Sequence, residues 1–192
     1  NGVIAIAGQV NAKGGITLQG HTVTINGITG PVTANDLGQR LKFGATVNST
    51  GLVEGGALVS RGGKISIVAA GNATVGGRIN ANAKNSGNGG NVSVKTGGDI
   101  TIEATAEVSA DGAGIDGAGG DVIFYADEKI TVQDGALFSA HGAGTGDGGF
   151  IEISGKYAQI GSARYDLGSD QGQAGSLLFD PLDLVFNAGN TN

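Results

Sequence analysis

Residues 88–112 decide the fold, and they read NGGNVSVKTGGDITIEATAEVSADG. The stretch contains two Gly-Gly corners and three short segments in which apolar and polar residues alternate. The apolar members are Val92 and Val94, then Ile100 and Ile102, then Val108 and Ala110. A period of two places alternate side chains on opposite faces of a strand. Three such strands in these 25 residues leave no room for a helix. The stretch therefore predicts one turn of a β-solenoid.

The same pattern recurs along most of the chain. The third segment of each turn reads as an apolar residue, then Asn or Ser, then Ala, then a polar residue, at 10–13, 79–82, 108–111 and 138–141, with a shortened version at 59–61. The longer repeats add a loop rich in Gly, Asn and Asp at one corner, as insertions into repeat stacks do. We predict an all-β, right-handed parallel β-helix (a β-solenoid) of about seven triangular coils of roughly 20–30 residues.

Alternation also predicts which side chains face inward. On the first strand of each coil these are Ile16/Leu18, Ile65/Ile67, Val92/Val94, Val122/Phe124, Ile151/Ile153 and Leu177/Phe179. On the second strand they are Ile4/Ile6, Val23/Ile25, Ala73/Val75, Ile100/Ile102, Ile130/Val132, Ala158/Ile160 and Leu184/Phe186. The residues between them should form outward rows that are rich in Ser and Thr.

Residues 1–192 are interpreted as a single β-helix segment with two irregular regions. Residues 30–44 (GPVTANDLGQRLKFG) break the pattern, and Pro31 cannot donate a ladder hydrogen bond, so we expect a surface excursion there. Residues 161–172 also lose the alternation, which leaves open whether Tyr165 points in or out. Neither terminus offers an evident cap, so we expect the parent protein to be longer at both ends.

Composition narrows the class of protein. The chain has 39 glycines, two prolines, nine aromatic residues and no cysteine, methionine or tryptophan, which suits a narrow core of Val, Ile and Ala. A formal charge of −6 argues against nucleic acid or an anionic membrane surface as a partner. Because no apolar run approaches the roughly 20 residues of a membrane span, we expect no membrane insertion. The lack of cysteine excludes thiol chemistry and Cys-ligated zinc.

Coils written GG-x-V-x-V, D-I-T-I and V-S-A-D-G resemble the exoproteins of two-partner secretion systems, the filamentous-haemagglutinin-like adhesins. Residues 175–184 (GSLLFDPLDL), within a block-ending Asp-Pro element at 175–186, are similar to the G-x-L-x-x-D-P-x-x-[IL] element of those proteins. The resemblance implies a right-handed parallel β-helix, export through an outer-membrane transporter, and adhesion at the bacterial cell surface to host cells, other bacteria or matrix polysaccharide. The Asn-Pro-Asn-Gly motif of the secretion domain is absent from the sequence. By resemblance, the chain is then a shaft segment.

Aspartates and histidines are the candidate metal ligands in the sequence. Asp111, Asp116, Asp121 and Asp147 lie in glycine-rich loops, where clustered oxygens suit calcium, but neither EF-hand nor tandem nonapeptide spacing is present. Asp also favours turns by bonding its own backbone, so solvated turns are the main expectation and calcium the alternative. The only histidines, His21 and His141, lie several coils apart, and we expect His141 to be a solvent-facing corner residue.

Three functional classes remain. A structural or adhesive shaft demands no particular side chain. A carbohydrate-binding module needs exposed rings, for which Tyr125, Phe150 and Tyr157 are the candidate ligand contacts. A polysaccharide-degrading enzyme needs paired carboxylates on one face, which the predicted Ser/Thr-rich rows do not offer, so no catalytic residue is expected. The sequence favours the adhesive shaft, with the carbohydrate-binding module as the alternative.

Overall fold

A computed structural model describes residues 71–187 and, before them, six strands, of whose side chains only Ile65 and Ile67 are described. The described residues are all-β and contain no helix. The six early strands are β1 (Val3–Ala7), β2 (Thr22–Asn26), β3 (Gln39–Phe43), β4 (Thr46–Ser49), β5 (Leu52–Glu54) and β6 (Lys64–Ala69). The others are β7 (Ala73–Val75), β8 (Arg78–Asn80), β9 (Asn91–Thr96), β10 (Ile100–Ile102), β11 (Glu107–Ser109), β12 (Asp121–Val132), β13 (Leu137–Ser139), β14 (Phe150–Ile160), β15 (Arg164–Asp166) and β16 (Ser176–Phe186).

The strands stack in parallel into three ladders, which gives a β-solenoid of about four turns. The first face contains β3, β6, β9 and the first halves of β12, β14 and β16. The second face contains β1, β2, β4, β7, β10 and the second halves of those three long strands. The third face contains β5, β8, β11, β13 and β15. The long strands join the first two faces, so both belong to one sheet of 11 strands.

Apolar residues from all three faces meet inside each turn. Val92, Ile100 and Val108, one from each face of a single turn, are at most 1% exposed. The inward pairs of the turns above and below are buried as predicted, from Ile65/Ile67 to Ala158/Ile160. These side chains stack on their counterparts one turn away because the register pairs like positions, for example Ile100 with Ala73 and Ile130. Burial of these rows stabilises the stack turn by turn.

The core changes from aliphatic to aromatic toward the C-terminal turns. Phe138 lies edge-on to Phe124 (5.9 Å between ring centroids) and stacks on Tyr165 at 5.0 Å with only 6° between the ring planes. Tyr165 in turn contacts Phe179, which contacts Phe186. Tyr165 therefore points inward, at the same register position as Phe138 on the third face. The sequence left the direction of Tyr165 open, and the structure shows it packed against the core.

The Gly-Gly corners are explained by close contact between turns. A Cβ at Gly120 would lie 1.9 Å from the carbonyl oxygen of Gly90, and one at Gly149 would lie 2.0 Å from that of Gly120. The preceding position is equally crowded, since a Cβ at Gly119 would meet the Ala140 carbonyl oxygen at 2.0 Å. Real Cβ atoms do not approach backbone this closely, so both positions require glycine.

Two details of the predicted register differ from the structure. The third-face position one turn before Ile79 is Val53, so the assignment of Val59 to that position was wrong. Val59 itself lies outside the described residues. In addition, residues 39–43, at the end of the expected excursion at 30–44, form β3 and pair with β6. The remainder of 30–44 lies outside the described residues, as does the segment 10–13. The alternation of Leu41 and Phe43 with Arg40 and Lys42 is a strand pattern that the surrounding irregular sequence masked.

The final strand, β16, is paired along one edge only, and none of its residues is buried. It contains the Asp-Pro element and pairs with β14 over its whole length. Leu184 and Phe186 occupy inward register positions, opposite Ala158 and Ile160, but are 39% and 62% exposed. Among the described residues no other strand pairs with β16, which explains this exposure. No helix long and apolar enough to cross a bilayer occurs in the described part of the chain.

Candidate functional site

A groove of about 410 Å³, lined by both polar and apolar surface, lies on the outside of the third face. Two rows of outward side chains from β8, β11, β13 and β15 line it, because the register places one residue of each row on every turn. The centre row is Asn80, Ser109, Ser139 and Asp166. The flanking row is Arg78, Glu107, Leu137 and Arg164. We call this feature the third-face groove.

The two arginines of the flanking row differ: Arg78 forms an ion pair, and Arg164 forms none with any residue of 71–187. Arg78 donates from Nε to Oε2 of Glu107 at 2.8 Å, and its Nη2 approaches the same oxygen at 2.5 Å. Both side chains are about half exposed, so this pair adds at most about 1 kcal/mol to stability.

Beside the groove, polar side chains bond from turn to turn. Asn82 and Asp111 bond reciprocally: the Asn82 amide donates to Asp111 Oδ2 at 3.0 Å, and the Asp111 backbone N–H donates to Asn82 Oδ1 at 2.7 Å. Asp111 Oδ1 accepts from the Ser139 hydroxyl and from the His141 backbone N–H. We call this set, together with His141 and Asp166, the polar ladder. It ties four successive turns together beside the groove.

His141 extends the polar ladder to the next turn. Its Nδ1 lies 3.0 Å from Asp166 Oδ1 and its Nε2 lies 3.3 Å from Asp170 Oδ1. Hydrogen bonding to Asp166 raises the pKa of His141, against an opposing effect of burial. The same bond lowers the pKa of Asp166. The pKa of Asp170 is lowered first by the backbone N–H of Gly144 and then by His141. Two carboxylate acceptors therefore favour the imidazolium form.

The arrangement contains the residue types of a catalytic triad but not its geometry. A nucleophilic serine must bond to its base, and that base to an orienting carboxylate. Ser139 donates to Asp111 instead, while both nitrogens of His141 face carboxylates. Nor do three or more His, Cys, Asp or Glu side chains converge in a metal-binding arrangement anywhere in the described residues. What the site offers is hydrogen bonding along a groove.

Part of that hydrogen-bonding capacity is directed outward and unused. The Ser109 hydroxyl, the Asn80 amide nitrogen and the Arg164 guanidinium have no hydrogen-bonded side-chain partner within 71–187. Asp166 uses Oδ1 for His141 and for the Gly168 backbone N–H. Leu137, which is 41% exposed, supplies an apolar patch in the same groove. The groove thus combines donors and acceptors with an apolar contact surface.

The three aromatic residues proposed as ligand contacts lie elsewhere, on β12 and β14. Tyr125 is 41% exposed, and the Lys95 Nζ atom of the preceding turn lies 4.8 Å from its ring centroid. Tyr157 is 45% exposed with Lys156 Nζ at 5.6 Å, and Phe150 is half-buried. No ring contact joins these three within residues 71–187. Their role in ligand contact stays a prediction.

The aspartates considered for calcium serve mainly as hydrogen-bond acceptors. Asp111 belongs to the polar ladder, Asp121 accepts from Asn91, and Asp147 accepts from the Gln173 backbone N–H at 2.8 Å. Asp116 is exposed in its loop. The outward rows predicted for the first two faces are in the expected register: Ser66, Ser93, Ile123 and Glu152, and Thr74, Thr101, Thr131 and Gln159.

His141 was expected to face solvent, but it is half-buried between two aspartates of the following turn. Sequence reasoning missed both partners, Asp166 and Asp170, and it also missed the groove. A signal was present: the third-face residues Val53, Ile79, Val108, Phe138 and Tyr165 recur every 26 to 30 residues. His141 precedes the two aspartates by 25 and 29 residues, which is about one turn.

No protein-family model, curated protein or solved structure matches this chain.

Proposed function

We propose that this chain is a binding shaft of a large secreted bacterial exoprotein of the two-partner secretion type. In this role it mediates attachment to host cells, other bacteria or matrix polysaccharide at the bacterial cell surface. The chain then forms a right-handed β-helix of about seven triangular coils, and an outer-membrane transporter exports it.

The observation that carries the proposal is the continuous parallel stack. The turns from β7 to β15 pair with their neighbours on three faces, and the polar ladder bonds successive turns outside the core. Such a stack is stiff along its axis and can present a binding surface at a distance from its attachment point. Short polar side chains, among them Ser93, Thr74, Thr101 and Thr131, occupy many of the outward positions on the first two faces, which suits a shaft in water.

A carbohydrate-binding module is the second candidate, and the third-face groove favours it. Sugar recognition requires closely spaced donors and acceptors beside a small apolar surface, which is what the groove offers. The two candidates are compatible, since an adhesive shaft can attach through a polysaccharide. A polysaccharide-degrading enzyme is less well supported, because it needs a pair of free carboxylates, whereas in the groove Glu107 is bonded to Arg78 and Asp166 to His141.

Attachment is the direct test. The purified chain is coupled to fluorescent beads, and bead retention is measured on epithelial cells, on bacterial lawns and on matrix polysaccharide films. Beads that carry the Gly120→Ala variant, whose stack should be disrupted, are the matched control. We expect retention on at least one surface that soluble chain abolishes by competition. A folded chain, verified by circular dichroism, that is retained on none of the three surfaces would refute the proposal.

A further inference from the structure

We infer that the third-face groove binds a neutral oligosaccharide in an extended conformation along the axis of the stack. This inference rests on the proposed adhesive function and specifies its contact site. Tyr125, Phe150 and Tyr157 lie on another part of the molecule, on β12 and β14.

The groove repeats with the turns of the solenoid. Its centre row supplies Asn80, Ser109, Ser139 and Asp166, one polar side chain from each of four adjacent strands. Strands in a sheet lie about 4.8 Å apart, so the row extends over about 14 Å. A polysaccharide is also periodic, and successive sugars of an extended chain are separated by close to one such spacing. Successive turns can thus present equivalent contacts to successive sugars.

The polar groups of the groove match sugar hydroxyls, which both donate and accept. Arg164 and the Asn80 amide donate, the Ser109 hydroxyl does both, and the Asp166 carboxylate accepts. These groups project from strands whose neighbouring residues, Val108 and Phe138 among them, are about 1% exposed. Asp166 is further held by His141 and the Gly168 N–H. A site held in place before binding loses little conformational entropy when the ligand arrives.

The charge of the groove favours a neutral ligand over a polyanion. Arg78 is neutralised by Glu107, and Arg164 lies near Asp166, whose pKa it helps to lower. The groove lining therefore carries two cations and two carboxylates, and the chain as a whole carries −6. A polyanion would meet this negative field, whereas a neutral sugar meets only hydrogen-bonding partners. Leu137 offers its exposed apolar surface to the C–H groups of a sugar ring.

The test measures binding of defined tetrasaccharides to the ¹⁵N-labelled chain by NMR titration. The neutral probes are tetramers of glucose, mannose, galactose and N-acetylglucosamine, and tetragalacturonate is the anionic probe. We expect at least one neutral probe to shift the backbone amides of Ser109 and Ser139. Ser109→Leu, which fills the groove from an outward position, should raise Kd at least about tenfold through loss of hydrogen bonds and steric exclusion.

Thr101→Leu is the matched control, since Thr101 is an outward strand residue of the same turn on the second face. It should leave Kd unchanged. Arg164→Ala is a second groove variant that removes a donor without adding volume, and it should weaken binding several-fold. Circular dichroism of each variant checks the fold. If Ser109→Leu unfolds the chain, Arg164→Ala alone decides the test.

Several results would overturn the inference: no neutral probe binds, only tetragalacturonate binds, or binding survives both groove variants. Binding that is lost in Tyr125→Ala but not in Arg164→Ala would place the site on the other surface. The bead assay separates this inference from the adhesive function. If Arg164→Ala beads are retained as well as wild-type beads, the groove is not the contact. If tetrasaccharides bind but wild-type beads attach to nothing, the adhesive function fails and the groove site remains.

Discussion

Replacing Tyr165 by phenylalanine should stabilise the protein. The Tyr165 ring lies in the aromatic part of the core, stacked on Phe138 and edge-on to Phe179. Its hydroxyl oxygen is buried and has no hydrogen-bonding partner among the described residues. The substitution removes only this oxygen and keeps both ring contacts.

The magnitude follows from the cost of an unsatisfied polar group. Leaving a buried donor or acceptor without a partner costs about 1–3 kcal/mol. The space left by the oxygen offsets part of this gain, so we expect Tyr165→Phe to raise the free energy of unfolding by about 1 kcal/mol. Burial also raises the pKa of the Tyr165 phenol to about 12, against an ordinary value of about 10.

This pKa shift adds a second, pH-dependent readout. Between about pH 10 and pH 12 the tyrosine ionises in the unfolded chain but not in the folded one, so the wild type loses stability as the pH rises through this range. Phenylalanine does not titrate. The stability difference between the variant and the wild type should therefore widen above about pH 10.

Urea unfolding followed by circular dichroism measures both effects. The midpoint should move to higher urea at neutral pH without a change in the m-value. Tyr157→Phe is the matched control, since Tyr157 is 45% exposed, and it should leave the midpoint unchanged at neutral pH. A Tyr165→Phe variant less stable than the wild type by about 1 kcal/mol would show that the hydroxyl is satisfied, and the reasoning would fail.

Three further predictions concern the core, a corner and a histidine. Phe138→Ala should lower the free energy of unfolding by about 3–5 kcal/mol, measured in urea melts, because it removes a ring that is 1% exposed and lies between Phe124 and Tyr165. A loss below about 1 kcal/mol would contradict the burial of the Phe138 ring. Gly120→Ala should lower the free energy of unfolding by about 3 kcal/mol or more, because the new Cβ would lie 1.9 Å from backbone. Gly168→Ala, whose Cβ comes no closer than 3.3 Å to side-chain atoms, should lower it far less. Equal thermal midpoints for the two variants would argue against the corner contact. Because the folded pKa of His141 is raised, its contribution is complete below about pH 6.5 and is lost as the pH rises through the folded pKa. The thermal midpoint should thus fall as the pH rises above about 6.5, and His141→Gln should flatten that slope; an unchanged slope would exclude His141 as its source.

The sequence predicted the first and second faces well because burial alone decides them. Val92, Ile100 and their counterparts alternate with polar residues, and a register slip of one residue would turn every one of them outward. The Gly-Gly corners were also found from sequence. The reason for these glycines was not found from sequence, because Gly120 packs against the carbonyl oxygen of Gly90, a residue 30 positions away.

The third face was harder because its strands are only three residues long and contribute a single central apolar residue. One residue cannot define a period, so Val59 was assigned to a position that Val53 occupies. The polar ladder was missed for a related reason. His141 contacts Asp166 only if the turn that joins them has the right number of residues, and this number cannot be read from the sequence because the corner loops vary in length.

The crowded corners constrain how such a chain changes over evolutionary time. A point mutation at either glycine of a corner is opposed by backbone on the adjacent turn, so we expect individual corners to drift slowly. Duplication or deletion of a whole repeat by recombination is different, because each new junction would again place glycine against a carbonyl oxygen. Length should thus vary among descendants of this chain more readily than the corners themselves.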